Sequence, residues 1–135
     1  MFPEQVINAA SELFIEKTFA HLATLMPDGT PHVTPVWVDW DGVFVIFVSV
    51  KGRVKARNIR RDPRVTLEIS DPKQPYRYIT VRGEVVEIRN EGASEQLDRL
   101  SLRHLGVDKY PWGKPEDEYL MYFVKPTHAY LKEPL

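Results

Sequence analysis

The segment Ser49–Arg64, SVKGRVKARNIRRDPR, holds the densest chemistry in the chain. Seven basic residues (Lys51, Arg53, Lys55, Arg57, Arg60, Arg61 and Arg64) stand against one acid, Asp62. The local charge is +6 in a protein of formal net charge −1. A hydroxyl at a strand end, a glycine and a basic helix start together make a phosphate receptor. Backbone N–H groups and the helix dipole favour an anion there, and Arg and Lys add charge-assisted hydrogen bonds. Each such bond contributes about 1.5–3 kcal/mol net. The ligand this implies is a phosphorylated small molecule. Two other readings fit the same residues: a solvated basic helix face, and a nucleic-acid surface, which also draws clustered cations. The remainder of the chain is acidic and carries no helix-turn-helix, zinc-finger or RNA-binding sheet signature, which argues against nucleic acid as a partner.

The other polar residues assemble no recognisable catalytic set, and no catalytic residue is assigned. His21, His32, His104 and His128 are scattered without a metal-binding spacing such as HExxH, so no metal site is expected. Asp39 and Asp41 flank Trp40 and are read as turn formers rather than as paired catalytic carboxylates. Glu116-Asp117-Glu118 reads as a solvated acidic run. Ser49 lacks the GxSxG context of an activated nucleophile. With no cysteine, the chain has neither disulfides nor thiolate chemistry.

A chain of 135 residues, 43% hydrophobic and 27% charged, is expected to form one globular domain with a proper core. The start, MFPEQVINAA, has no basic region followed by an apolar stretch as a secretory signal does. The apolar run Val43–Val48 is far shorter than the ~18 residues a membrane span needs. A cytoplasmic protein without membrane association is the expectation.

These residues must be positioned by a framework that hydrophobic periodicity outlines. Pro3 and Glu4 open an amphipathic helix to about Lys17, with Val6, Ala10, Leu13 and Phe14 on one face. Phe19–Met26 is a first strand, Pro27-Asp28-Gly29 a hairpin turn, and Pro31–Trp40 one continuous second strand. Asp41-Gly42 turns into a buried third strand, Val43–Val48. After the basic helix, Asp62-Pro63 stops the helix and Val65–Ser70 is a fourth strand. Tyr76–Ile88 is a fifth, whose internal Gly83 marks a bulge or a close approach. Gly92 to about His104 is a helix with Leu97, Leu100 and either Ser101 or His104 on one face. Leu105–Glu118 is irregular and aromatic, and Tyr119–Leu131 is a last strand interrupted at Pro126. Five or six antiparallel strands of this kind could close into a small barrel, which side chains would fill. A ligand would then lie on the outer wall or at a subunit junction. An exposed Tyr110-Pro111-Trp112 segment favours a homodimer.

Three stretches, TLMPDGTPHVTPVWVDWDG (Thr24–Gly42), VSVKGRVKARNIRRDPRVTL (Val48–Leu67) and YRYITVRGEVVEI (Tyr76–Ile88), occur in an order and spacing that resembles the pyridoxamine 5′-phosphate oxidase-like split β-barrel proteins. More narrowly, the chain is similar to the short flavin- or deazaflavin-dependent reductase branch. The resemblance implies a mainly β (α+β) fold, a six-stranded antiparallel split barrel of the FMN-binding type with flanking helices. It also implies a homodimer with two cofactor sites at its interface. By position, Ser49, Arg53 and Lys55 would hold the cofactor phosphate, with Arg57 and Asn58 nearby. Pro35, Val36, Trp37 and Val38 would run beside the ring, Gly83 would admit a close strand, and Tyr110 or Trp112 could reach the ring from the other subunit. A core or dimer-interface tryptophan is the other reading of Trp37.

Pyridoxamine phosphate oxidases proper are longer and end in a segment with substrate-binding Arg and His. This chain shows no counterpart, so pyridoxamine phosphate oxidation is not expected. The arginines of ARNIRRDPR exceed what FMN needs and suit the phosphate and polyglutamate tail of coenzyme F-420; FMN is the alternative cofactor. The implied activity is hydride transfer to a small organic substrate, and the alternative is a flavin-, deazaflavin- or haem-sequestering protein of the same fold.

Overall fold

The computed structural model describes residues 1–134. The elements run α1 (Pro3–Ala9), a 3₁₀ turn (Ser11–Phe14), β1 (Ala20–Leu25), β2 (Pro31–Val36), β3 (Asp39–Trp40) and β4 (Val45–Val50). They continue with α2 (Val54–Arg61), β5 (Arg64–Ser70), β6 (Tyr78–Arg89), α3 (Ala93–Leu105) and β7 (Tyr119–Lys132). All seven strands lie in one antiparallel sheet of order β2-β1-β5-β6-β7-β4-β3. The fold is therefore mainly β with three helices, but it has seven strands where six were expected.

The additional strand comes from a break in the stretch read as one strand over Pro31–Trp40. Trp37 and Val38 leave the ladder, so β2 pairs with β1 and β3 pairs with β4 at the opposite edge. The alternation predicted through this stretch ends at Val36. The two edges of the sheet are thus consecutive in the chain, and the sheet curls to bring them together. No ladder hydrogen bonds join β2 to β3, which leaves the barrel split there.

Inward-facing residues fill the barrel. Leu22 from β1, Leu67 and Ile69 from β5, Ile79 and Val81 from β6, and Tyr122 and Val124 from β7 are almost wholly buried. Phe47 and Tyr122 face each other in the β4–β7 register with parallel rings 4.8 Å apart. Burying each such side chain stabilises the fold by about 1.5–3 kcal/mol. Of the run Val43–Val48 read as a buried strand, Val43 is exposed in the preceding turn and the strand begins at Val45; from there burial on both faces explains the apolar run. Val45 and Phe47 point inward, while Ile46 packs outside against Ala93, Met121 and Phe123.

The first helix is shorter than its periodicity predicts. It yields at Ala10 to a 3₁₀ turn that turns Leu13 and Phe14 into the barrel end beside Ile7. The Asp28 and Asp41 turns form as expected: Asp28 Oδ1 accepts from the Thr30 amide at 2.9 Å, and Asp41 Oδ1 from the Val43 and Phe44 amides at 2.8 and 2.6 Å. In the last strand Pro126 does not interrupt pairing. It sits opposite Gly83, where the β6–β7 register shifts.

A Cβ on Gly83 would run into the Lys125 carbonyl oxygen and come within 2.9 Å of Val124 Cγ1. A backbone carbonyl in the paired strand cannot swing aside as a flexible side chain can. Gly83→Ala should therefore cost about 1–3 kcal/mol through overpacking, seen as a lower urea midpoint. An unchanged midpoint would show that the bulge relaxes freely.

Candidate functional site

The basic segment leaves β4 at Val50 and turns at Gly52, whose φ of +93° is strained for any side-chain-bearing residue. The turn is held from both sides. The Lys51 amide donates to the Glu118 carbonyl at 2.8 Å, and Arg57 Nη1 donates to the Gly52 carbonyl at 2.7 Å. α2 then starts after Arg53. As its N-cap residue, Arg53 has a side chain with donors and no acceptor, so it cannot satisfy the first-turn amides itself.

Most of the segment's cations are committed to the protein. Arg61 Nη2 donates to the Leu25 carbonyl at 2.7 Å and to Asn58 Oδ1 at 2.6 Å. Arg64 binds Asp62 through two nitrogens, which lowers the Asp62 carboxyl to about 2. Lys51 lies 3.5 Å from Glu118. Arg53 and Lys55 make no ion pair among the described residues. Lys55 is half-buried, and burial first, then the neighbouring Arg53 cation, push its ammonium below the ordinary 10.5.

These two cations lie at a cleft of about 290 Å³ at the split of the barrel. Of the residues singled out from sequence, Pro35, Val36, Trp37, Ser49, Arg53 and Lys55 line it together. Four do not. Val38 is buried in the core. Arg57 serves the Gly52 turn. Asn58 is buried and donates to Thr24 Oγ1 at 3.0 Å, tying α2 to β1. Gly83 lies in a separate cleft on the outer sheet face with Arg64, Arg82 and His128.

The cleft's other walls come from α3 and the loop behind it. Leu97 and Leu100, read from sequence as a helix face, line it, as do Tyr110, Trp112 and Tyr119. Tyr110 and Trp112 thus reach the cleft of their own chain. Trp37 is the hub of these rings: His104 stacks on it at 5.0 Å and 4°, Tyr110 meets it edge-on at 6.0 Å, and Trp112 lies 6.3 Å away. Burial first, then Arg103, lowers the His104 pKa and favours the neutral ring; its Nε2 is buried without a hydrogen-bond partner. Phe19, Val48 and Val50 also line the cleft and were missed, because nothing in their own segments indicates which strand ends meet.

The loop is held by α3, where Asp98 Oδ1 accepts from the Tyr110 amide at 2.9 Å and Ser101 Oγ donates to the Val107 carbonyl at 2.8 Å. Asp39, read from sequence as a turn former, does more. Its carboxylate accepts from Gln96 at 3.0 Å and from Arg103 at 3.2 Å, docking α3 across the split. Among the described residues no acidic side chain lines the cleft, so its field is that of two cations without counter-charge beside an aromatic wall. Such a site can take an anion at one end and a planar ring at the other.

This combination, a split antiparallel barrel with two cations at a helix start beside an aromatic cleft, defines a class of split-barrel folds with a cleft at the seam. The chain belongs to the pyridoxamine 5′-phosphate oxidase family, whose sequence pattern matches residues 7–129. Among solved structures it is similar to an F-420 reductase, at 34% identity and a TM-score of 0.78, over 89% of this chain and 94% of the other. A conserved hypothetical protein of Mycobacterium tuberculosis shares the fold at 23% identity and a TM-score of 0.71, over 93% of this chain and 83% of its own. General stress protein 26 of Bacillus anthracis does so at 18% and 0.69, over 97% and 96%. A search of curated proteins gave no match. At the family level the chain is a flavin- or deazaflavin-related oxidoreductase fold. No helix among the described residues is long and apolar enough to cross a membrane.

The unpaired Lys55 carries a signed pH prediction. Its folded pKa is lowered, so the folded state sheds this proton at a lower pH than the unfolded chain does. The cost of its charge is full below the folded pKa and is relieved as pH rises towards 10.5. Without ligand, Lys55→Met should be more stable than the unaltered protein at pH 7, with the advantage shrinking as pH rises through that window. Urea denaturation across the range tests this, and a pH-independent difference would contradict it.

Proposed function

We propose that the cleft binds a phosphorylated flavin-type cofactor, coenzyme F-420 or FMN, and that the protein uses it to reduce a small organic substrate. The observation that carries this reading is the pair Arg53 and Lys55, cations at a helix start with no acidic partner among the described residues, opening onto a wall of Trp37, Tyr110 and Trp112. Ser49, Arg53 and Lys55 would take the phosphate. The β2 end, Pro35–Trp37, would run along the ring. The bound cofactor supplies hydride transfer; the chain's residues bind, orient and shield. The similar F-420 reductase, at 34% identity, supports the deazaflavin form.

Surplus arginine, the sequence argument for F-420 over FMN, carries less weight in the folded chain. Arg57 and Arg61 are occupied within the protein, which leaves Arg60 as the arginine of that helix with no hydrogen-bonded partner among the described residues, for an acidic tail. A cleft of about 290 Å³ also lies at the lower end of the range for ligand sites. One chain therefore covers part of a flavin-sized ligand, which supports a homodimer whose second copy closes the remaining face.

Fluorescence titration of the purified protein with F-420 and, separately, with FMN tests the reading. Micromolar or tighter binding of either is expected. Arg53→Ala with Lys55→Ala should weaken it at least a hundred-fold, given about 1.5–3 kcal/mol for each hydrogen bond to a charged group. Unchanged affinity in the double variant would place the phosphate elsewhere. Tight binding with no reduction of any acceptor would favour the sequestering role.

A further inference from the structure

Behind Trp37 a second, smaller cavity of about 130 Å³ opens next to the cleft. The two share Phe19, Trp37 and Trp112 as walls, and the smaller one is completed by His104 and Leu105, with Lys17 among its lining residues. Its volume is close to the roughly 150 Å³ that suffices elsewhere for a benzene molecule in an apolar protein cavity. Three aromatic rings and a neutral, stacked imidazole supply flat surfaces suited to another ring. Lys17 is exposed and makes no ion pair among the described residues. Among the described residues no carboxylate lines the cavity, and Arg103, which adjoins His104 in sequence, is occupied by Asp39.

We propose that this annex is a substrate subsite for a single planar ring bearing a carboxylate, the ring between the aromatic walls and the carboxylate at Lys17. The inference rests on the reading of the larger cleft as the cofactor site, because the shared walls set the annex beside the ring end of that cleft. It assigns the substrate class that the proposed reduction acts on: small aromatic or quinonoid acids rather than extended aliphatic ones. Size excludes fused polycyclic groups from the annex itself, and the absence of acids disfavours cationic rings.

Benzoate is the probe, followed by NMR on the unaltered protein with benzyl alcohol as its neutral counterpart. Saturable shifts of the His104 ring protons and of the Trp37 and Trp112 indole N–H signals are expected. Lys17→Met should weaken benzoate about three-fold, in keeping with an exposed ion pair, and leave benzyl alcohol unchanged. Leu105→Trp, which fills the cavity, should weaken both at least ten-fold while FMN and F-420 titrate as before. Absent or non-saturable shifts in the unaltered protein, shifts confined to other residues, or full benzoate affinity in Leu105→Trp would overturn the assignment. If neither cofactor binds while benzoate does, the cofactor reading fails and the ring site stands on its own.

Discussion

The link of two residues between β2 and β3 constrains everything else in this structure. Laid flat, a seven-stranded sheet would place its edges about 29 Å apart at the usual inter-strand spacing of about 4.8 Å. Three Cα steps from Val36 to Asp39 span at most about 11 Å. Since β2 and β3 are those two edges, the sheet must roll up. The rolled sheet encloses the core around Phe47 and Tyr122, and it leaves an unladdered split where the cleft beside Trp37 opens. Trp37 sits in the link itself, so the residue that enforces closure also forms the cleft's aromatic hub.

A split without ladder hydrogen bonds needs other fastenings, and α3 supplies them. Asp39 receives Gln96 and Arg103, while Arg103 also reaches the Val38 and Phe14 carbonyls at 3.4 Å. On the other side, Trp40 Nε1 donates to Asn8 at 2.8 Å and its ring packs on Phe14. Arg103 thus gives the Val38 carbonyl, in the link that leaves the ladder, a charged side-chain donor. Because α3 also carries Leu97, Leu100 and the anchor for the Tyr110 loop, fastening the seam and building the cleft are one event.

The basic segment divides its labour by geometry. Arg57, Arg61 and Arg64 hold the Gly52 turn, the end of β1 and the helix stop, where each finds an oxygen within hydrogen-bond distance. Arg53 and Lys55 are left facing the cleft with no counter-charge among the described residues. A half-buried cation beside another costs folding energy, and an anion in the cleft would offset that cost. The local charge of +6 is mostly an internal fastening, with a small uncommitted portion that composition cannot separate from it.

Read alone, the sequence determined what local patterns control. The alternating strands, the turns at Asp28 and Asp41, the stop at Asp62-Pro63, the tight spot at Gly83 and a basic strand-to-helix junction at Ser49–Lys55 follow from side-chain period and backbone chemistry within a few residues. It misplaced what depends on distant partners. Pro31–Trp40 reads as one strand because its alternation continues through Trp37 and Val38; only the opposite edge of the sheet, recruiting Asp39 and Trp40 to β4, breaks it. Asn58 and Arg57 look like ligand groups until Thr24 and the Gly52 carbonyl claim them. The meeting of Trp37 with His104, Tyr110 and Trp112 joins segments about seventy residues apart. That meeting was left to the tertiary structure, because the closure of the sheet, and not any local preference, brings those rings to one place.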